Sequence, residues 1–161
     1  KLNNEGLILL ERENFDLAKD KFSLALQLDP DFAAPYFNRG LVCLRQEQHD
    51  EAIADFSTAI RMLEGLNYAL AEGHLSRINL APVYNLRGLA HLFKGENDKA
   101  LLDFNEAIRR HPLAVYLLNR GTTYLDMGDH EKAKADIRVA KKTGLGSGLQ
   151  FLPRVLHLLD D

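Results

Sequence analysis

Several features are scarce or missing in this chain of 161 residues. It contains a single cysteine, Cys43, and no tryptophan, and its formal net charge at pH 7 is only −3. One cysteine excludes an intrachain disulfide framework and fits a reducing compartment. No apolar run approaches the roughly 18 residues that a membrane span requires, and no cluster of Lys and Arg forms a basic stripe for nucleic acid. We therefore expect neither a membrane nor a nucleic-acid partner.

The start of the chain bears on its origin. It opens on Lys1, without Met and without a signal-peptide pattern, so we expect a piece of a longer protein, located in the cytoplasm. Its length and its 46% content of hydrophobic residues suit one domain, or one repeat array with a continuous core.

One pattern occurs four times along the chain. In each copy a Gly is followed after 12 residues by Ala, after 4 more by an aromatic residue or Ile, and after 3 more by Ala. The last three share one face of a helix, and a mid-helix glycine indicates close approach of a second helix because it costs about 1 kcal/mol relative to alanine. Each copy is thus interpreted as a helical hairpin, with turns at Gly95 and Gly128. The copies read Gly6, Ala18, Phe22, Ala25; Gly40, Ala52, Phe56, Ala59; Gly88, Ala100, Phe104, Ala107; and Gly121, Ala133, Ile137, Ala140.

These residues resemble the tetratricopeptide-repeat family over about 140 positions. Two copies also carry the Asn-Arg-Gly variant common in that family, at 38–40 and 119–121. The resemblance implies an all-α fold, a right-handed α-solenoid of about four hairpins whose first helices line a concave groove for peptides or partner proteins. We assign repeats to 1–30, 31–62, 81–112 and 113–144, an insert to 63–80 and a C-terminal capping helix to 149–161.

Charged residues covary between the two helices of each hairpin. The residue before the motif glycine is Arg in three copies and Glu in the first, and the residue 16 positions later is Asp in three copies and Lys in the first. This reversal predicts four ion pairs that bridge the helices, and it argues against a cationic ligand site. The pairs are Glu5–Lys21, Arg39–Asp55, Arg87–Asp103 and Arg120–Asp136.

The spacing breaks once, because Gly40 and Gly88 are 48 residues apart, 14 more than the 34-residue period. Gly65 and Gly73 favour a broken segment that projects as a loop with a short helix. The alternative is a longer helix pair, since fourteen residues are close to four helical turns. Long insertions in regular arrays are often functional, so the insert is a second candidate surface. Its candidate partner-binding residues are Leu66, Tyr68, His74 and Arg77.

The insert also resembles, in length and placement, one in the tetratricopeptide-repeat domains of phagocyte NADPH oxidase activator subunits. In that family the insert helps to bind a Rac-type small GTPase, which implies an adaptor function as an alternative. The key Arg of that insert is replaced here by Glu64.

Two further segments carry predictions. The apolar spacing within 149–161 predicts a helix that caps the last repeat or, alternatively, docks in the groove as an internal inhibitor. The groove itself is expected to be apolar with scattered amides, suited to an extended peptide or an amphipathic helix, although its leucines could instead be inter-helix core. Its predicted residues are Asn4, Phe37, Asn38, Leu41, Arg45, Asn85, Leu89, Phe93, Asn119 and Thr122.

No residue pattern in the chain indicates catalysis. The six histidines form no metal-binding pair, and the glycines of 144–148 follow a helix instead of a strand, unlike a phosphate loop. His91 and Cys43 take equivalent positions in two repeats and are interpreted as packed core residues. We predict a non-catalytic protein-interaction module without cofactor or metal, monomeric or weakly self-associating, with a structural, self-assembling repeat array as the alternative.

Overall fold

The computed structural model describes residues 1–72 and 78–143, and side chains within 1–67 and 78–143. This part of the chain contains helices and no strand, in agreement with the expected all-α fold. The helices are α1 (Leu2–Glu11), α2 (Phe15–Leu28), α3 (Ala33–Arg45), α4 (His49–Glu72), α5 (Ala81–Phe93), α6 (Asn97–Arg110), α7 (Ala114–Asp126) and α8 (His130–Lys142).

Neighbouring helices form four hairpins that stack in chain order. Each odd-numbered helix packs most extensively on the even-numbered helix that follows it, and each hairpin reaches the next through α2 on α3, α4 on α5 and α6 on α7. The odd-numbered helices also contact one another directly, α1 with α3, α3 with α5 and α5 with α7. They therefore form one continuous layer along the stack.

A single left-handed residue closes the turn inside each hairpin. The φ angles of Glu13, Glu47, Gly95 and Gly128 are 57°, 60°, 76° and 79°, and all four follow the motif glycine by seven positions. The next residue then donates its N–H to the carbonyl five positions back, which ends the first helix. The turns predicted at Gly95 and Gly128 are confirmed. The other two carry glutamate and gave no turn signal in the sequence.

The motif residues form the core between the two helices of each hairpin. A Cβ placed at Gly88 would lie 2.7 Å from Cε1 of Phe104, so the glycine allows the helices to approach as closely as predicted. The fourth repeat is looser, because Ile137 replaces the aromatic ring and the atom nearest to a Cβ at Gly121 is 3.5 Å away. The core residues with zero exposure include Ala18, Phe22, Ala52, Phe56, Ala59, Ala100, Phe104, Ala107, Ala133 and Ala140.

The inserted residues lengthen a helix where the sequence favoured a break. Helix α4 has 24 residues and passes through Gly65 to Glu72, whereas α2 and α6 have 14 each. The expected loop at Gly65 is therefore wrong. A lone glycine costs a helix only about 1 kcal/mol, and Leu63 beside it packs against the core. Gly73 and the predicted cap at 149–161 lie outside the described residues.

Candidate protein-binding surface

The layer of odd-numbered helices presents a row of polar and apolar side chains along the stack. At two junctions between repeats this row contains a pair of asparagines. Asn38 donates to Oδ1 of Asn3 at 2.9 Å, and Asn119 donates to Oδ1 of Asn85 at 2.8 Å. Asn38, Asn85 and Asn119 are all buried, so these amides form the floor of the surface and hold neighbouring first helices in register.

The middle junction lacks such an amide pair. The positions that carry Asn3 and Asn38 at the first junction carry Phe37 and Leu86 at the second. Both side chains pack against the core cluster around Phe56, and the Phe37 and Phe56 rings are 6.1 Å apart. The floor thus alternates along the stack between amide, apolar and amide junctions.

Beside this floor lies a second row, one residue after each motif glycine. It consists of Leu7, Leu41, Leu89 and Thr122, all partly buried. Thr122 donates its hydroxyl to the carbonyl of Leu118 in its own helix at 3.0 Å, which leaves its methyl group to the surface. Three apolar side chains and a methyl group therefore follow the floor from the first repeat to the fourth.

The edge of the surface is open to solvent. Asn4 and Arg45 are exposed, and the Phe93 side chain is 59% exposed, with its ring centroid 5.6 Å from that of His49. Arginine is among the residue types enriched at binding hot spots.

Between α1 and α3 the surface deepens into a cavity of about 300 Å³. Apolar side chains and three charged ones share its lining, so it offers space for an apolar group with charges nearby. The lining residues are Leu7, Leu10, Glu11, Glu13, Phe15, Leu41 and Arg45.

The four predicted ion pairs are confirmed, and they lie between the helices of the hairpins. Arg87 holds both carboxylate oxygens of Asp103, at 2.8 and 2.7 Å, and the pairs in repeats two and four have the same bidentate geometry. In repeat one Lys21 reaches Glu5 at 2.8 Å. Since the three aspartates are almost fully buried, these cations serve the fold and are not available as a ligand ladder.

The insert provides the second candidate surface. At its base the Asn67 side chain bonds both backbone groups of Ile78, donating to the carbonyl at 2.9 Å and accepting from the N–H at 2.5 Å. Leu66 is exposed, and a cavity of about 440 Å³ opens between this base and the end of α6. Tyr68 falls in the backbone-only part of α4, and His74 and Arg77 lie outside the described residues.

Glu64, which replaces the arginine of the oxidase-type insert, is engaged in the fold. It accepts a hydrogen bond from the Tyr84 hydroxyl at 2.6 Å and another from Arg110 at 2.9 Å. Burial and this carboxylate raise the pKa of Tyr84 to about 12. Glu64 thereby ties α4 to α5 and α6, and the small-GTPase adaptor function stays a prediction without support from this position.

His91 and Cys43, interpreted from the sequence as core residues, lie in packed positions. Cys43 has no exposed surface, and burial raises the pKa of its thiol to about 11, which disfavours the nucleophilic thiolate. His91 is buried as predicted and contacts Glu96 through Nδ1 at 2.7 Å. Among the described residues, no three His, Cys, Asp or Glu side chains are grouped so that they could hold a metal ion. None of the helices in the same part of the chain is long and apolar enough to cross a membrane.

Comparison with known proteins decides the family. The tetratricopeptide-repeat model matches residues 3–66 and 85–144, which is most of the chain. The chain belongs to the tetratricopeptide-repeat family. The stretch between the two matched segments, 67–84, covers most of the insert. The expected solenoid of helical hairpins is confirmed. Tetratricopeptide repeats generally serve as protein-interaction modules and are generally non-catalytic scaffolds.

The chain is also similar to individual proteins. A DnaJ homolog subfamily C member 7 homolog of Schizosaccharomyces pombe is 39% identical over 61 residues, which are 35% of this tetratricopeptide-repeat chain and 13% of that protein. The chain thus matches only a small part of that relative. A crystal structure of MamA superposes with a TM-score of 0.75 at 20% identity, covering 88% of this chain and 75% of the other. BtubC from P. vanneervenii gives a TM-score of 0.78 at 19% identity, with coverages of 88% and 61%. At such identities the two structures show the shared fold alone.

Proposed function

We propose that this tetratricopeptide-repeat chain is a non-catalytic module that binds a segment of a partner protein along the surface of its first helices. The observation that carries the proposal is the continuous row of Leu7, Leu41, Leu89 and Thr122 beside the buried asparagine pairs. A row of this kind spans all four repeats, whereas a binding pocket for a small molecule would be confined to one place.

The chemistry of this surface favours an extended peptide or one face of an amphipathic helix. Apolar side chains of the partner would lie on the leucine row, and one of them would enter the cavity between α1 and α3. Each asparagine pair uses one N–H of the donor, so further amide groups can bond the backbone of the partner. Arg45, at the edge of the cavity, would pair with a carboxylate of the partner.

A selection experiment tests this proposal and needs no named partner. A random peptide display library is selected on the intact chain, and the affinities of selected peptides are measured on variants. Arg45→Glu combined with Phe93→Ala alters two exposed groove residues, and the matched control is Leu102→Ala on α6, which is 70% exposed away from the first helices. We expect at least about a tenfold loss of affinity for the groove variant, the size of a moderate hot spot, and no loss for the control.

Either of two results contradicts the groove assignment. One is a set of selected peptides that bind the groove variant as tightly as the unaltered chain. The other is loss of binding on combined alanine substitution in the insert, at Leu66, Tyr68, His74 and Arg77, which would move recognition to that segment. Circular dichroism of each variant verifies that the helices are retained.

A further inference from the structure

The cavity between α1 and α3 is lined by charges of opposite sign. Glu11, the last residue of α1, and Glu13, in the turn after it, supply two carboxylates. Arg45, the last residue of α3, supplies a guanidinium group. All three residues are exposed, and the rest of the lining is apolar. The cavity therefore has an acidic wall on the α1 side and a basic wall on the α3 side.

The fold does not use these three charges. Within residues 1–67 and 78–143, where side chains are described, none of the three takes part in an ion pair or a side-chain hydrogen bond. The bridging pairs inside the hairpins differ, since there each cation already holds its carboxylate. Because complementary charge decides which ligand an interface accepts, the two walls are available to select a cation and an anion of the same ligand.

The next junction of the array shows which group fits between such walls. The positions of Phe15 and Arg45 at the first junction are held at the second by His49 and Phe93. The ring centroids of His49 and Phe93 are 5.6 Å apart, so the chain covers this place with its own aromatic side chain. At the first junction an arginine replaces that aromatic partner, and the space beside Phe15 stays open. It fits an apolar side chain supplied by a ligand.

The distance between the walls sets the spacing of charges in the ligand. Packed helices have axes about 8–10 Å apart, and α1 contacts α3 directly. An extended peptide advances about 3.3 Å per residue, so groups at the two walls are about three residues apart. Asn38 lies one turn before Leu41 on α3 and keeps one amide N–H after its bond to Asn3. This N–H can bond the backbone of an extended peptide.

We infer that this cavity binds an extended segment of a partner protein in which an apolar residue lies between a basic and an acidic residue. The apolar side chain enters beside Phe15. The basic side chain pairs with Glu11 and Glu13, and the acidic one pairs with Arg45. The inference rests on the proposed function, because the cavity belongs to the same groove, and it adds the order of charges that the groove selects.

Glu13 allows a test that keeps the fold. Its backbone φ is 57°, and the equivalent residues of repeats three and four are Gly95 and Gly128. Glu13→Gly therefore removes a carboxylate from the cavity without straining the turn. The matched control is Glu47→Gly, the same change at the turn of repeat two, where the carboxylate does not line this cavity. Peptides selected from a random display library on the intact chain should bind Glu13→Gly about two- to fivefold more weakly, the range of one exposed ion pair, and Glu47→Gly unchanged.

An exchange of charges tests their order. The triple variant Glu11→Arg, Glu13→Gly and Arg45→Glu carries a cation on the α1 wall and a carboxylate on the α3 wall. A selected peptide should bind it at least about tenfold more weakly than it binds the unaltered chain, because like charges would meet at both walls. A second synthetic peptide, in which the basic and acidic residues have exchanged places, should show the reverse preference. Circular dichroism verifies the helices of each variant.

The outcomes separate this inference from the proposed function. Recovery of affinity by the exchanged peptide supports the order of charges, because a general loss of structure cannot be repaired in the ligand. The inference alone is overturned if peptides that lose affinity for the Arg45→Glu, Phe93→Ala variant carry no basic and acidic residues two to four positions apart. It is also overturned if such peptides bind Glu13→Gly and the triple variant undiminished. Peptides that bind outside the groove, or a library that yields none, contradict both.

Discussion

Replacing the motif glycine by alanine is expected to have opposite effects in the third and fourth repeats. At Gly88 the new Cβ would lie 2.7 Å from Cε1 and 2.9 Å from Cδ1 of Phe104, a fully buried ring that cannot move aside without displacing its own neighbours. At Gly121 the nearest atoms are 3.5 and 3.6 Å away, which is ordinary van der Waals contact. The sequence motif is the same, but the space available for a methyl group is different.

The sign of each effect follows from two opposing contributions. Alanine gains about 0.5–1 kcal/mol over glycine inside a helix. Overpacking a well-packed core costs about 1–3 kcal/mol. Gly88→Ala should therefore lower the free energy of unfolding by about 1–2 kcal/mol, whereas Gly121→Ala should raise it by about 0.5–1 kcal/mol because no clash opposes the gain.

Urea unfolding followed by circular dichroism measures both changes through the transition midpoint, with the slope as a check that the array still unfolds in the same manner. A double-mutant cycle adds a control: Phe104→Ile should reduce the cost of Gly88→Ala, because it gives repeat three the side chain of repeat four. If the two glycine variants shift the midpoint in the same direction by similar amounts, the steric explanation of the motif is refuted.

Two further predictions concern the charged residues. Arg87→Ala leaves the buried charge of Asp103 without its arginine partner and should lower the free energy of unfolding by about 3–5 kcal/mol. Glu5→Ala removes a pair that solvent screens, so its loss should be far smaller. Equal losses for the two variants in urea unfolding would contradict this ranking. The hydrogen bond with His91 is the main cause that lowers the pKa of Glu96 from 4.5 to about 2, so its stabilisation is present above pH 4.5 and lost as the pH falls towards 2. In the Glu96→Gln variant the urea concentration at the unfolding midpoint should therefore vary less with pH between 4.5 and 2 than in the unaltered chain. An unchanged pH dependence would show that this carboxylate does not contribute.

The sequence predicted those features that repeat with the hairpin. Four copies with the same internal spacing predicted the helical hairpins, and the reversed charges at Glu5 and Lys21 predicted the ion pairs. Both predictions work because residues at equivalent positions of successive repeats make equivalent contacts. Glu47 was missed as a turn residue, since no local signal distinguishes a glutamate with positive φ from one in a helix. At Gly65 the sequence did carry a local signal, and the break that this signal predicted is absent because α4 continues to Glu72. Packing of the neighbouring side chains outweighs the weak helix propensity of this glycine.

The candidate surface was harder to predict than the fold. The family resemblance predicts where the surface lies, on the first helices. The hydrogen bond between Asn38 and Asn3 joins two different repeats, so it depends on the distance between their first helices. The spacing of residues within one repeat does not determine that distance. A signal was present, since one repeat has Asn three positions before its motif glycine and the next has Asn two positions before its own. Testing which different positions of adjacent repeats both carry asparagine, in addition to aligning equal positions, would have identified this pair and the pair of Asn119 with Asn85.

The alternation of these junctions has a mechanical consequence. A hydrogen bond between two asparagines holds only over a narrow range of distances and angles, whereas apolar contact tolerates small displacements. At the middle junction the first helices meet through Phe37 and Leu86, while on the second-helix side Glu64 ties α4 to α5 and α6 through Tyr84 and Arg110. We therefore expect the Glu64 contacts to act as a fixed pivot, about which the first helices of repeats two and three can change their spacing and so widen or narrow the leucine row.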